Sequence, residues 1–163
     1  MAIYAEVMED ALLIEPVSTD LADVRALIAL HLEGMHAHSP AENVFALDLS
    51  GYAKPGLTLW GARRGQALAG MIALQRLDAG QGEIKSMRTH PDHLRAGVAR
   101  AMLEHLVATA RAEGLTRLSL ETGSAPAFEP ALTLYRAHGF IEGYAFSDYK
   151  PNAFSRFFHL ELE

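Results

Sequence analysis

The sequence predicts an α/β domain in which a mixed sheet is flanked by helices, and three observations carry that expectation. Short apolar runs of strand length alternate with stretches in which apolar residues recur at helical spacing. Glycine-bearing turns separate these segments. Their order is strand, helix, three strands, helix, strand, helix, strands, the pattern of a layered α/β sandwich. With 163 residues, half of them hydrophobic, the chain can build one ordinary core, so residues 1–163 read as a single domain without linker, repeat or low-complexity tract.

Residues 11–17 form a first apolar run and read as a strand. Ser18, Thr19 and Asp20 offer capping oxygens to a helix carrying Leu21, Val24, Leu27, Ile28 and Leu32 on one stripe and ending near Gly34 and His36. Residues 36–55 contain Ser-Pro, Ser-Gly and Lys-Pro breakers around a short turn at 43–47, and read as a lid or pocket wall. Residues 57–63 and 67–77 flank the Arg64-Gly65-Gln66 turn and predict an antiparallel hairpin, followed by a polar-mixed strand at 83–89 suited to lining a site. Val98, Ala99, Met102, Leu103, Leu106, Val107 and Ala110 define a long amphipathic helix that exits at Arg111 and Gly114. Residues 115–121 predict a strand ended by Thr122-Gly123-Ser124, in which Leu118 and Leu120 alternate with Arg117, Ser119 and Glu121. A helix from 128 or 129 to 138 tolerates Pro130 in its first turn and closes at Gly139. Residues 140–146 and 155–162 complete the sheet, joined by a loop around 148–152.

Acidic residues outnumber Lys plus Arg by 20 to 14, giving a formal charge of −6 that argues against nucleic acid and anionic membranes as partners and suits an amine substrate. Zero cysteines exclude disulfides, thiolate metal sites and a cysteine nucleophile. The beginning of the sequence shows no basic segment followed by a long apolar run, and the expected location is the cytoplasm. His31, His36 and His38 lie close together beside Glu42, yet no complete ligand spacing is present, so no metal is expected and the imidazoles read as pocket-lining or solvent-facing. Arg63 and Arg64 read as a charged hairpin tip, and Trp60 as core.

The richest stretch is Pro91-Asp92-His93-Leu94-Arg95-Ala96-Gly97-Val98-Ala99-Arg100, between the polar strand and the amphipathic helix. Pro91 stops the strand because it has no N–H to donate, and small residues at 96, 97 and 99 keep bulk away from the backbone at the helix start. The first four amides of a helix lack intrahelical partners and carry roughly half a positive charge, so a diphosphate can satisfy several at once. Arg95 and Arg100 add cations beside them.

The order of elements and these motifs resemble the GNAT superfamily of acyl-CoA N-acyltransferases. Residues 83–91 and 94–99 are similar to that family's fourth strand and its (Arg/Gln)-x-x-Gly-x-(Gly/Ala) pyrophosphate loop, with Leu94 where Arg or Gln is usual. That departure removes one side chain and leaves the backbone donors of Arg95, Ala96, Gly97, Val98, Ala99 and Arg100 in place. Residues 131–140 are similar to an Ala-x-x-x-Tyr-x-x-x-Gly-Phe segment, and Phe128 stands where that segment commonly begins with Asn. Residues 120–124 and the Asp148-Tyr149 pair resemble a bacterial YsnE-like branch.

The resemblance implies acetyl-CoA as cosubstrate, no metal, and an amine of a small metabolite or amino acid as acceptor, attacked directly in a ternary complex. A protein or peptide N-terminus is the alternative acceptor, and a non-catalytic acyl-CoA-binding module the alternative class. Homodimers are common among similar proteins. Glu83 falls where the family places a carboxylate that removes the ammonium proton; an ordinary strand-end glutamate is the other reading. The main chain of Met87, Arg88 and Thr89 is expected to hold the pantetheine as an added strand would, with the Met87 N–H polarising the thioester, which requires a splayed strand edge. Tyr135 is the candidate acid for the departing thiolate, or else an aromatic on the buried stripe with Ala131, Leu132 and Leu134.

Overall fold

The hairpin expected around Gly65 is present in the sheet. In the computed structural model, which describes residues 11–162, β1 (Leu12–Pro16) is followed by α1 (Ala22–His38), then β2 (Leu57–Arg64), β3 (Ala67–Arg76) and β4 (Gln81–Thr89). The second half contributes α2 (Val98–Ala112), β5 (Arg117–Gly123), α3 (Glu129–Ala137), β6 (Ile141–Gly143) and β7 (Ser155–Glu161). The strands form one sheet in the order β1-β2-β3-β4-β5-β7-β6. Among the described residues only the β4–β5 pair is parallel, as the intervening helix α2 allows; every other pair is antiparallel.

Two cores cover the two faces of the sheet. Trp60, Ile72, Leu74 and Ile84 pack with the apolar stripes of α2 and α3, while Leu59, Met71 and Ala73 pack with Val24, Leu27 and Ile28 of α1. Consecutive residues of β3 thus enter opposite cores, which is why the run from Leu68 to Leu74 is apolar throughout rather than alternating. Burying side chains such as Met71, Ile72 and Leu74 completely contributes roughly 1.5–3 kcal/mol each. Trp60 is core as expected, with its ring edge against His105.

Several local expectations shift. Helix α1 begins after Leu21 with no side-chain cap and runs to His38, so Gly34 lies inside it; Ser18 Oγ instead accepts the Asp20 amide at 3.0 Å, closing a turn before the helix. The 36–55 segment contains 3-10 turns at Ala41–Asn43 and Gly51–Ala53 rather than a turn at 43–47. Strand β5 continues through Thr122 and Gly123 because β7 pairs with it to Ser155. The strand expected over 140–146 shrinks to Ile141–Gly143, an edge segment whose three residues are all exposed.

Candidate active site

Two irregularities in β4 create the site. Between Met71 and Ala73 of β3 the β4 partner advances from Lys85 to Arg88, one residue too many, and Ser86 takes up the excess at a φ of 57°. A bulge of this kind bends the strand. On the other side, β4 pairs with β5 only from Gln81 to Glu83, the last rung being Glu83 opposite Ser119. Beyond that rung the strands part, and a cleft of about 250 Å³ opens between the end of β4, β5, α1 and α3. This is the splayed edge that the pantetheine expectation requires.

The residues below the bulge lead into the diphosphate candidate. Arg95 and Gly97 both adopt positive φ, 59° and 78°, and Gly97 is the residue before α2. Such turns line up successive amides as an anion-binding nest. Among the described residues no protein acceptor takes the N–H groups of residues 95–100; the ladder of α2 starts with the Ala101 amide on the Gly97 carbonyl at 3.1 Å. A Cβ built on Gly97 meets nothing within 4 Å, so the space over the loop is open. Arg64, read from sequence as a hairpin tip, donates from Nη2 to the Ala96 carbonyl at 2.8 Å and steadies the loop. Arg63 instead pairs with Asp23 of α1 at 2.7 Å.

Tyr135 projects from α3 into the same cleft. It is 6% exposed, and its hydroxyl donates to Met87 Sδ at 3.8 Å. Burial pushes its phenol well above the ordinary range, so the proton stays on oxygen at neutral pH. The helix stripe buries the ring against Phe140, and the residue also borders the cleft.

Glu83, 6% exposed, stands at the last β4–β5 rung. Tyr149 donates its hydroxyl to Glu83 Oε2 at 2.6 Å, and Lys85 Nζ donates to the same oxygen at 3.2 Å and to the Tyr149 oxygen at 3.1 Å. Burial and the Glu83 charge push the Tyr149 phenol far up, keeping it a donor. Glu121 of β5 borders the same cleft, and its carboxyl is raised to about 7, chiefly by burial, with the nearby Glu83 charge adding to the rise and Lys85 opposing it. Sequence alternation placed Glu121 on a polar face but gave no sign that this face is enclosed.

At the α1 end, His31 is 6% exposed and accepts the Arg88 Nε–H at its Nδ1, 2.9 Å away. Burial and the adjacent guanidinium lower His31 to about 3, so the ring is neutral and carries its proton on Nε2. The Arg88 side chain therefore belongs to the α1 wall of the cleft rather than to the phosphate loop. His36 and His38 are exposed, and among the described residues no group of three or more His, Asp or Glu could hold a metal ion. The 36–55 segment and the late loop meet over the cleft: Asn43 Nδ2 donates to Asn152 Oδ1 at 3.0 Å, and Phe45 packs edge-on against Tyr149 with ring centroids 5.1 Å apart. Among the described residues no helix is long and apolar enough to cross a membrane.

Comparison with known proteins agrees with this geometry. The model of the acetyltransferase (GNAT) family matches residues 23–140. The uncharacterized N-acetyltransferase YsnE of Bacillus subtilis is 47% identical over 132 residues, spanning 80% of this chain and 87% of that protein. The uncharacterized N-acetyltransferase YedL of Escherichia coli is 45% identical over 139 residues, spanning 85% and 87%. A Bacillus subtilis acetyltransferase solved in complex with CoA shares the fold with a TM-score of 0.70 at 17% identity, covering 94% of this chain and 100% of that one. With a family match over most of its length and two relatives near half identity, the chain belongs to the GNAT acetyltransferase family as an acyl-CoA-dependent N-acetyltransferase.

Proposed function

We propose that the protein acetylates the amine of a small metabolite or amino acid by direct attack in a ternary complex. The observation that carries this reading is the divergence of β4 and β5 past Glu83, which opens one cleft bordered by the Met87 strand edge, the Tyr135 hydroxyl and two carboxylates. Acetyl-CoA supplies the activated acetyl group. The main chain of Met87, Arg88 and Thr89 extends the pantetheine arm along the splayed strand, and the Met87 N–H polarises the carbonyl to be attacked. The amides from Arg95 to Arg100, with the Arg95 and Arg100 side chains beside them, hold the diphosphate.

Glu83 and Glu121 act together on the acceptor. Both favour the ammonium form on arrival, and the nitrogen must lose that proton before attack. Glu83 already accepts from a phenol and an ammonium, whereas Glu121 titrates where a base at neutral pH is most effective. Glu121 is therefore the terminal proton acceptor and Glu83 the anion that draws the amine in and shares its proton. Tyr135, kept protonated by burial, delivers its proton to the departing thiolate. With zero cysteines the chain has no thiol to carry the acetyl group, which supports direct transfer. The Asn43–Asn152 and Phe45–Tyr149 contacts over the cleft favour a small acceptor over a protein terminus.

A thiol-release assay across a panel of amines tests the reading, with acetyl-CoA alone as hydrolysis control and a thermal-shift titration with acetyl-CoA in parallel. Acceptor-dependent CoA release with a stabilising shift supports it. Stabilisation of about 2.7 kcal/mol is expected at a hundred times the dissociation constant. A shift without turnover of any amine would favour the non-catalytic binding module.

A further inference from the structure

Among the described residues Arg88 has no counter-ion. Its Nε donates to neutral His31, and among the described residues no carboxylate lies within ion-pair distance of it. The two Nη groups make no hydrogen bond to the described residues, and the side chain borders the cleft. The fork fits there because position 34 is glycine: a Cβ on Gly34 would stand 3.0 Å from Arg88 Nη2. Holding a half-buried guanidinium without an anion costs stability, since charge is poorly solvated there. Such a cost is expected where a ligand supplies the anion, and in a chain of net charge −6 acidic partners are available that this arginine does not use. Glu83 and Glu121 border the same cleft and attract a cation instead.

We propose that the free Nη fork of Arg88 binds a carboxylate of the acceptor while Glu83 and Glu121 receive its ammonium group, so that the substrates are free amino acids and not simple amines. This rests on the acetyl-transfer reading and narrows it. A planar guanidinium matches a carboxylate with two parallel N–H donors. His31 is a positioning residue: by accepting from Nε it fixes the rotation of the guanidinium and leaves the two Nη groups for the ligand, and as a neutral ring it adds no charge that would compete. Gly34 leaves room for that orientation.

The test compares CoA release with the common α-amino acids, β-alanine and γ-aminobutyrate against their decarboxylated amines and carboxamides, for the wild-type protein, Arg88→Gln, Arg88→Lys and Gly34→Ala. An acetyl-CoA thermal-shift titration accompanies each variant. For the preferred amino acid, kcat/KM is expected to exceed that of its decarboxylated amine by about a hundredfold, the worth of two charge-assisted hydrogen bonds. Arg88→Gln should erase that ratio mainly through KM, with Arg88→Lys intermediate. Gly34→Ala, a substitution that favours the helix, should raise KM for the amino acid more than for the amine. Equal use of amino acids and decarboxylated amines, or an unchanged ratio in Arg88→Gln, overturns the proposal while acetyl transfer stands. A wild-type protein that acetyl-CoA stabilises but that acetylates only amines overturns it equally. Absence of any acetyl-CoA shift would instead break the underlying acetyltransferase reading.

Discussion

On the proposed reading, the loop ahead of α2 and the cleft beside β4 solve recognition by different means. At the loop, the proposed donors to a diphosphate are main-chain amides of one contiguous stretch, without acceptors among the described residues beside the positive-φ turn at Arg95 and Gly97. In the cleft, the groups proposed to react and bind are side chains brought from α1, β4, β5, α3 and the late loop, with partners such as Glu83 and Tyr149 separated by 66 residues in the chain. Backbone recognition is indifferent to most side-chain identities, which is why Leu94 can replace the family's usual Arg or Gln without removing a single amide. Side-chain recognition has no such tolerance: each group at the acceptor end depends on the packing that aims it.

The contrast predicts that substitutions at the acceptor end damage turnover and spare cofactor affinity, and the reverse at the loop. The largest effect is expected from Tyr135→Phe, which removes the acid while keeping the ring packed on Phe140; kcat should fall by about a hundred- to ten-thousand-fold with the acetyl-CoA thermal shift retained. Equal loss of binding would make Tyr135 a structural aromatic. Glu121→Gln comes next, with kcat at neutral pH falling by about a hundredfold. A base acts when ionised, so the wild-type rate should climb as pH rises through about 7 and level off above it, and the variant should lack that limb. If Glu83→Gln and not Glu121→Gln removes the limb, the roles of the two carboxylates are exchanged.

Gly97→Leu probes the other end. At a φ of 78° a side chain costs about 1–2 kcal/mol, and its bulk enters the open space over the loop, so acetyl-CoA affinity measured by calorimetry should drop sharply while an amine at saturating cofactor still turns over. The smallest effect concerns stability. The His31 pKa is lowered to about 3 from 6.5, so no penalty exists above 6.5; as pH falls below that value the unfolded chain takes a proton that the native ring refuses. At pH 5 this removes about 2 kcal/mol of stability. His31→Asn, whose amide oxygen can accept from Arg88, should flatten that acid limb in denaturant titrations at a series of pH values.

Legibility followed the same division. The β2–β3 hairpin, the α2 stripe and the loop at 91–100 were readable because their causes are local: Gly65 and Gly97 supply positive φ, and the apolar period lies within the segment. Ser86 also adopts positive φ, yet serine carries no sequence sign of it, so the bulge that opens the cleft was invisible. Glu121 read as a polar-face residue because alternation reports which side a residue takes, never whether another element covers that side. The sequence places Arg88 on the strand expected to line the cofactor path, and only the packing of α1 over β4 shows its side chain turned to His31. Of the oxygens at 18–20, Ser18 Oγ closes a turn ahead of the helix rather than capping it.

By itself, then, the sequence determined the order of strands and helices, the glycine turn at the head of α2, the place of Tyr135 on its helix and the absence of a thiol, since each depends on neighbours a few positions away. The tertiary structure alone decided where β4 parts from β5, which carboxylates share the cleft and which cation is left without an anion among the described residues. Those depend on how sheet twist, a one-residue bulge and three packed elements bring distant side chains into a common low-dielectric space, and no periodicity along the chain encodes that distance.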